Sequence, residues 1–281
     1  MKKQIVTLTA ALSVAIAALS SLLPSQAEEK KNAPKPLRAL LILGGCCHDY
    51  KHQKDVLKAG LEQRANLAVD VCYSPDTSTK AKFPCYDKEN WAAEYDVIIH
   101  DECSADVTDP AYVKKILDAH RGGIPAVNLH CAMHSYRWGN FRQAVKAGDN
   151  NAGWYEMLGL QSTGHGPQQP IAVTYTAKDS PVTKGLADWT TINEELYNNV
   201  QILPTAKPLA RGKQGKEDTV VVWTNEFGGK KTRIFSTTLG HNTETVADDR
   251  YLDLVCRGLL WVCGKLDADG KPAAGYGAAA K

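Results

Sequence analysis

Leu37-Arg-Ala-Leu-Leu-Ile-Leu43-Gly44-Gly45, running on into Cys46-Cys47-His48-Asp49-Tyr50, is the stretch whose reading decides the fold. Apart from Arg38 the run to Leu43 is apolar, short and closed by two glycines, as in a strand buried on both faces. Outward from it, helix and strand alternate. Residues 53–66 carry Val56, Leu57, Gly60, Leu61 and Ala65 on one helical face. Residues 67–73 read as a second strand and 95–100 as a third. Asp109-Pro110 opens a helix with proline in its first turn. Its stripe is Tyr112, Val113, Ile116 and Leu117, and Gly122-Gly123 ends it before a fourth strand at 124–129. Further strands are expected at 171–176, 219–223 and 233–237, and a last helix over about 248–262 with Asp248 and Asp249 at its favourable end. This order predicts an α/β fold: three layers, doubly wound, with a mainly parallel sheet and right-handed crossovers. Residues 135–170, rich in Gly, Asn and Gln and without period, read as a functional or partly helical insertion.

The 281 residues are 43% hydrophobic and 23% charged, which is globular composition and excludes collagen-like, coiled-coil and disordered classes. Residues 1–27 read as a secretory signal peptide: Lys2 and Lys3, an apolar stretch, Pro24, then small residues before a cut after Ala27. Residues 28–36 read as a linker, 37–266 as one domain and 267–281 as a flexible tail. No later apolar run is long enough to span a membrane, so the product is expected in the periplasm or outside the cell. The chain has 33 basic and 31 acidic residues, and the leader holds two of the basic ones and no acid. The remainder is balanced, which argues against nucleic acid as a partner. All 8 cysteines lie beyond the leader, where disulfides are permitted but their pairing is not legible. Cys72 and Cys256, in apolar patterns, read as buried free thiols.

In an open parallel sheet, ligands bind beyond the carboxyl ends of the strands. Six of the 8 histidines fall at strand ends or in glycine-flanked loops: His48, His100, His130, His134, His165 and His241. His52 and His120, in or beside helices, read as solvated. Several imidazoles on one rim point to acid–base work or metal binding. Trp138, Trp154 and Tyr197 are candidates for stacking on a ligand, with a core role the competing reading. A P-loop, a G-x-G-x-x-G turn after the first strand, a G-x-S-x-G elbow, H-E-x-x-H and C-x-x-C are all absent, which rules out P-loop nucleotide chemistry and a helical zincin site and argues against a pyrophosphate cradle, an elbow-type serine hydrolase and a thioredoxin-type redox pair or zinc knuckle.

Four stretches carry a resemblance: Gly-Gly-x-x-His48-Asp49-Tyr50; Val127-Asn128-Leu129-His130-Cys131-Ala132; Pro181-Val182-Thr183-x-Gly185-Leu186 with Glu194-Glu195-Leu196-Tyr197; and Val222-Trp223-Thr224-Asn225-Glu226-Phe227-Gly228-Gly229 with Thr237-Thr238-Leu239-Gly240-His241-Asn242 and Gly258-Leu259-Leu260-Trp261. In this order, from Leu37 to Leu266, they resemble the ThuA-like (trehalose utilisation) family, within the class I glutamine amidotransferase-like (flavodoxin-like) fold. The resemblance implies disaccharide catabolism, associated with 3-keto sugars. By resemblance the site is His48, His130, Glu195 and His241; together with the histidine cluster this makes His130, His241 and Glu195 the expected acid–base groups, and Asp49, Tyr50, His134, His165 and Tyr197 are expected on the substrate. A divalent metal, Zn or Mn, would be held by His48, His130, His241 and Glu195. Related amidotransferases carry a nucleophilic cysteine at the elbow after the fourth strand; here His130 stands there and Cys131 is one residue off. Two other readings compete: a non-catalytic carbohydrate-binding or accessory protein, and a Cys-dependent amidotransferase or hydrolase using Cys131 or Cys47.

Overall fold

Along β1 (Leu37–Gly45), Leu41 and Leu43 face one side, Leu40 and Ile42 face the other, and all four are buried. That alternation is the period of an extended chain, and two buried faces put β1 inside a sheet. The structure, a computed structural model, describes Met1 and residues 34–278. The expected leader, beyond Met1, and the linker up to residue 33 lie outside the described residues.

The strands in chain order are β1, β2 (Leu67–Ser74), β3 (Val97–Cys103), β4 (Ala126–Leu129), β5 (Leu160–Gln161), β6 (His165–Tyr175), β7 (Trp189–Tyr197), β8 (Gln201–Ile202), β9 (Lys207–Gln214), β10 (Glu217–Phe227) and β11 (Thr232–Thr237). β5 and β8 form a small antiparallel ribbon. The other nine make one mixed sheet ordered β2-β1-β3-β4-β11-β10-β9-β6-β7. The first five in that order are parallel; the rest are joined antiparallel.

Helices cover both faces of the parallel half. On one side α1 (Tyr50–Glu62) packs Leu57 and Leu61 onto the same cluster as Leu41 and Leu43. On the other, α2 (Pro110–Arg121) brings Val113, Ile116 and Leu117 to the cluster of Leu40 and Ile42, and α3 (Gly153–Leu158) adds Trp154 and Met157. The short α4 (Thr243–Val246) leads into α5 (Asp249–Val262), whose Leu252, Val255 and Leu259 join α1 on the first face. Asp109 and Asp248 each accept a hydrogen bond from the backbone N–H two residues on, at 2.9 and 2.8 Å, which explains where α2 and α5 begin.

Several expectations change. The antiparallel half is larger than the sequence reading allowed: β7 and β9 were not expected, and β6 starts at His165. The first six residues of β6 are largely exposed and include two prolines, so no apolar alternation marks them. Residues 267–278, expected to be a loose tail, are held by main-chain hydrogen bonds from Ala273 N to Lys265 O (2.9 Å) and from Asn66 N to Tyr276 O (3.1 Å). Cys72 is not a free thiol; it is bonded to Cys85, and Cys46 to Cys47, whereas Cys256 is free and buried as expected. Trp154 is a core residue whose indole N–H donates to Ala132 O at 2.8 Å, so it cannot stack on a ligand. Among the described residues no helix is long and apolar enough to cross a membrane.

Candidate functional site

Three parallel strands, β1, β4 and β11, deliver one histidine each from their carboxyl ends. After β1 the chain turns at Gly45, where φ is +99° and a Cβ would sit 2.2 Å from Cys103 O, so only glycine fits. His48 follows the turn. After β4 comes His130 itself, at φ +34°, a conformation uncommon for a residue with a side chain and found where a site needs a fixed direction. After β11, Gly240 at φ +112° passes so close to Tyr251 that a Cβ would meet its hydroxyl at 2.6 Å. His241 stands next, and its loop is clasped by the buried Glu194, whose carboxylate accepts from the backbone N–H groups of Gly240, His241 and Asn242 at 3.3, 2.9 and 3.0 Å.

The three rings meet. His48 lies 4.7 Å from His130 and 4.7 Å from His241, centroid to centroid, and one ring nitrogen from each falls within 4.8 Å of the other two. Thr238 O lies 2.6 Å from His130 Nδ1. A carbonyl only accepts, so Nδ1 carries the proton and Nε2 turns its lone pair inward. His48 Nδ1 and His241 Nδ1 are buried with no hydrogen-bond partner. Glu195 arrives from β7: its Oε2 is 3.6 Å from His130 Nε2, 3.3 Å from His241 Nδ1 and 3.5 Å from His165 Nε2. Burial works to raise the Glu195 carboxyl, but His130 and His241 outweigh it and hold it well below the usual carboxylate range. Burial likewise works against charge on His241, and Glu195 followed by Glu194 more than offsets it, raising that ring's pKa.

The other expected residues are placed unevenly. Asp49 is exposed and bonded to His52 at 2.6 Å; it borders, with His48 and His241, a surface cleft of about 790 Å³. Tyr50 is buried with its ring 5.3 Å from that of His48. Tyr197 donates toward His130 Nε2 at 3.2 Å and stacks on His134 with centroids 4.0 Å apart. His134 is buried and bonded to Ser162 Oγ at 2.8 Å, and burial drives its pKa well down, leaving it neutral. His165 is half-exposed and lines, with Tyr197, a second cleft of about 400 Å³.

His100 and His120 overturn their expectations. Along β3, Ile98, His100 and Glu102 face the α2 side, away from the rim cluster. His120, expected in solvent, is fully buried there with its Nε2 3.0 Å from His100 Nε2. The sequence reading missed two contributors. The Gln168 amide on β6 lies 2.8 Å from His241 Nε2 and donates to Glu195 Oε1 at 3.4 Å. Glu194 was seen beside Glu195 but given no role; its only signal was a second carboxylate in an Asn-Glu-Glu run.

A family profile described as ThuA, trehalose utilisation, matches residues 38–262. The chain belongs to the ThuA family. No curated relative matches it. Among solved structures it is similar to a ThuA-like protein from Parabacteroides merdae, 21% identical, with a TM-score of 0.62 over 87% of this chain and 97% of that one. It is also similar to a protein described as a GMP synthase subunit from Thermoplasma acidophilum, 11% identical, TM-score 0.50, covering 82% of this chain and 96% of that one. These likenesses carry the fold, and the ThuA chain has the class I glutamine amidotransferase-like α/β architecture expected of it.

Proposed function

We propose that this ThuA-family protein is a secreted enzyme of carbohydrate catabolism that acts on disaccharides or their 3-keto derivatives by His/Glu acid–base chemistry, assisted by a divalent metal. One observation carries the reading: an ionised carboxylate and one ring nitrogen from each of three histidines converge on one spot, where the Nδ1 atoms of His48 and His241 make no hydrogen bond. Such a spot demands a cation, either a proton or a metal.

Without metal, His130 Nε2 is the proton acceptor, since Thr238 O fixes its tautomer, and His241 is the donor, since Glu195 and Glu194 favour its protonated form. In a 3-keto sugar the C–H beside the carbonyl is the acidic one, so His130 takes that proton and His241 supplies one to the developing enolate oxygen. Glu195 holds the two rings in register, and Gln168 fixes Glu195 and His241 together. The residues fit a metal as well: His48, His130 and His241 would hold Zn or Mn with Glu195 beside them, and the ion would supply polarisation of the keto oxygen. Asp49 and His165, at the two clefts, are the exposed polar groups for sugar hydroxyls. The two disulfides support an oxidising compartment, as does the sequence of the leader.

The test is a screen of disaccharides and their 3-keto forms by mass spectrometry, with elemental analysis of the purified protein. Turnover of a keto-sugar by the wild type, reduced about 10²–10⁴-fold in His130→Ala and His241→Ala, is the expected result. Unchanged turnover in both variants overturns the acid–base reading. Absence of bound metal together with no activation by added Zn or Mn overturns the metal.

A further inference from the structure

Four of the cysteines crowd the same turn as His48, and the acid–base reading uses none of them. Cys46 and Cys47 are bonded to each other. The Cys103 thiol lies 3.3 Å from Cys46 Sγ, and the sulfurs of Cys46, Cys47 and Cys103 all fall within 4.8 Å of one another. Cys103 in turn neighbours Cys131, whose thiol is 2.8 Å from His48 Nε2. The two bonded residues differ in setting: Cys47 is exposed, Cys46 is half-buried beside Cys103, and Cys103 is buried. Cys47 is also held at φ +83°, a left-handed conformation that a side chain disfavours.

We propose that Cys46, Cys47 and Cys103 form a thiol–disulfide exchange centre, a second reactive site that takes disulfides as its substrate class. Cys103 Sγ, as thiolate, attacks Cys46 Sγ. The Cys46–Cys103 bond forms, the Cys46–Cys47 bond breaks, and the electron pair leaves on Cys47 Sγ, which recovers from solvent the proton that Cys103 gave up. No oxidant or reductant is consumed. Exposure favours Cys47 as the leaving group, because its thiolate is solvated, and release frees its backbone from the left-handed region. The neighbouring strands already hold the new bond's ends together: Gly45 pairs with Cys103 in the β1–β3 register. The freed Cys47 thiol, returning its proton to solvent, then attacks an outside disulfide RS–SR as thiolate, giving Cys47–S–SR and RS⁻, which takes a proton up again. Since Cys47 adjoins His48, the pairing state of Cys46 also sets whether the turn carrying that ring is locked.

The experiment treats the native full chain with oxidised glutathione, quenches with a maleimide, and maps unreduced peptides by mass spectrometry, with fragmentation between the adjacent cysteines. The wild type is expected to carry glutathione on Cys47 together with a Cys46–Cys103 link. Cys103→Ser is expected to show neither. Cys47→Ser is expected to close Cys46–Cys103 with release of two reduced glutathiones. An unmodified Cys47 in the wild type overturns the proposal. So does a Cys47 modified equally in Cys103→Ser, or a Cys47→Ser chain in which Cys46 and Cys103 stay unlinked. The readout needs neither sugar nor metal, so it stands or falls apart from the acid–base reading.

Discussion

Two clusters of histidine and glutamate lie on either side of this sheet, and they are built to opposite ends. At the rim, His48, His130 and His241 surround Glu195, and two ring nitrogens are left without partners beside a cleft. Beneath the other face, His100 Nδ1 sits 2.9 Å from Glu102 Oε1, which also accepts from Tyr86 and Tyr136, each at 3.0 Å. His100 Nε2 meets His120 Nε2, and His120 Nδ1 donates to Ile124 O at 2.7 Å. Every polar atom of that second group is used and none reaches a cleft. The lesson is that residue type and burial do not separate a reactive cluster from a structural one; unspent hydrogen-bonding capacity does.

The largest effect expected from this contrast is on stability. His100→Ala strips the buried Glu102 of its histidine, leaving it only the Tyr86 and Tyr136 hydroxyls, and is expected to cost about 3–5 kcal/mol in a denaturant titration. His241→Ala, by contrast, is expected to lose bound Zn while the urea midpoint of the metal-free protein falls much less than in His100→Ala. Equal destabilisation by the two would erase the distinction.

The pH response should have opposite signs in the two clusters. Burial, then the charge of His100, pushes His120 down to about 3. The unfolded chain therefore binds the extra proton first, and stability falls as pH drops below about 6.5, by at most about 1.4 kcal/mol per unit. His241 is raised, so in the metal-free protein its contribution is full below about 6.5 and is lost as pH rises through its folded value. The Glu195 contribution, from a lowered pKa, is present above the unfolded carboxylate value and lost as pH falls. Unfolding curves of wild type, His120→Gln and His241→Gln from pH 5 to 8 resolve the two slopes.

A smaller change is expected at the clasp. Glu194→Gln keeps an acceptor but removes the charge facing three N–H groups, at a cost of about 1–2 kcal/mol. Through the displaced His241 loop it is expected to weaken Zn binding roughly tenfold, read by competition with a chelator. Smallest of all is the exposed Asp49–His52 pair: His52→Ala is expected to change neither the urea midpoint nor the metal content. A change in either would tie that pair to the metal centre.

Much of this was legible before the structure. Leu37–Gly45, Asp109-Pro110 and Asp248-Asp249 carry local signals, and each marks an element where expected. The rim histidines at 48, 130 and 241 were legible because each lies within a few residues of a strand's carboxyl end. Glu195 and Tyr197 are visible in the sequence as members of the run 193–197, and the family resemblance singles out Glu195; β7 itself, without an apolar period, was not legible. His100 was misplaced because side chains on a strand alternate, so its face depends on the parity of β3. Ile98, two residues before it and buried among α2 side chains, shares its side.

By itself the sequence determined the order of strands and helices and which residues stand at strand ends, because period, glycine and proline act over a few neighbouring residues. Only the tertiary structure decided that His48, His130 and His241 turn toward one point with Glu195. It also decided that His100 joins His120 instead, that Cys46 sits between two sulfurs, and that Gln168 and Glu194 brace the whole. Those outcomes depend on register and facing between segments as much as 188 residues apart, as in the bond from Gln53 to His241, and a slip of one position would send each side chain to the opposite face.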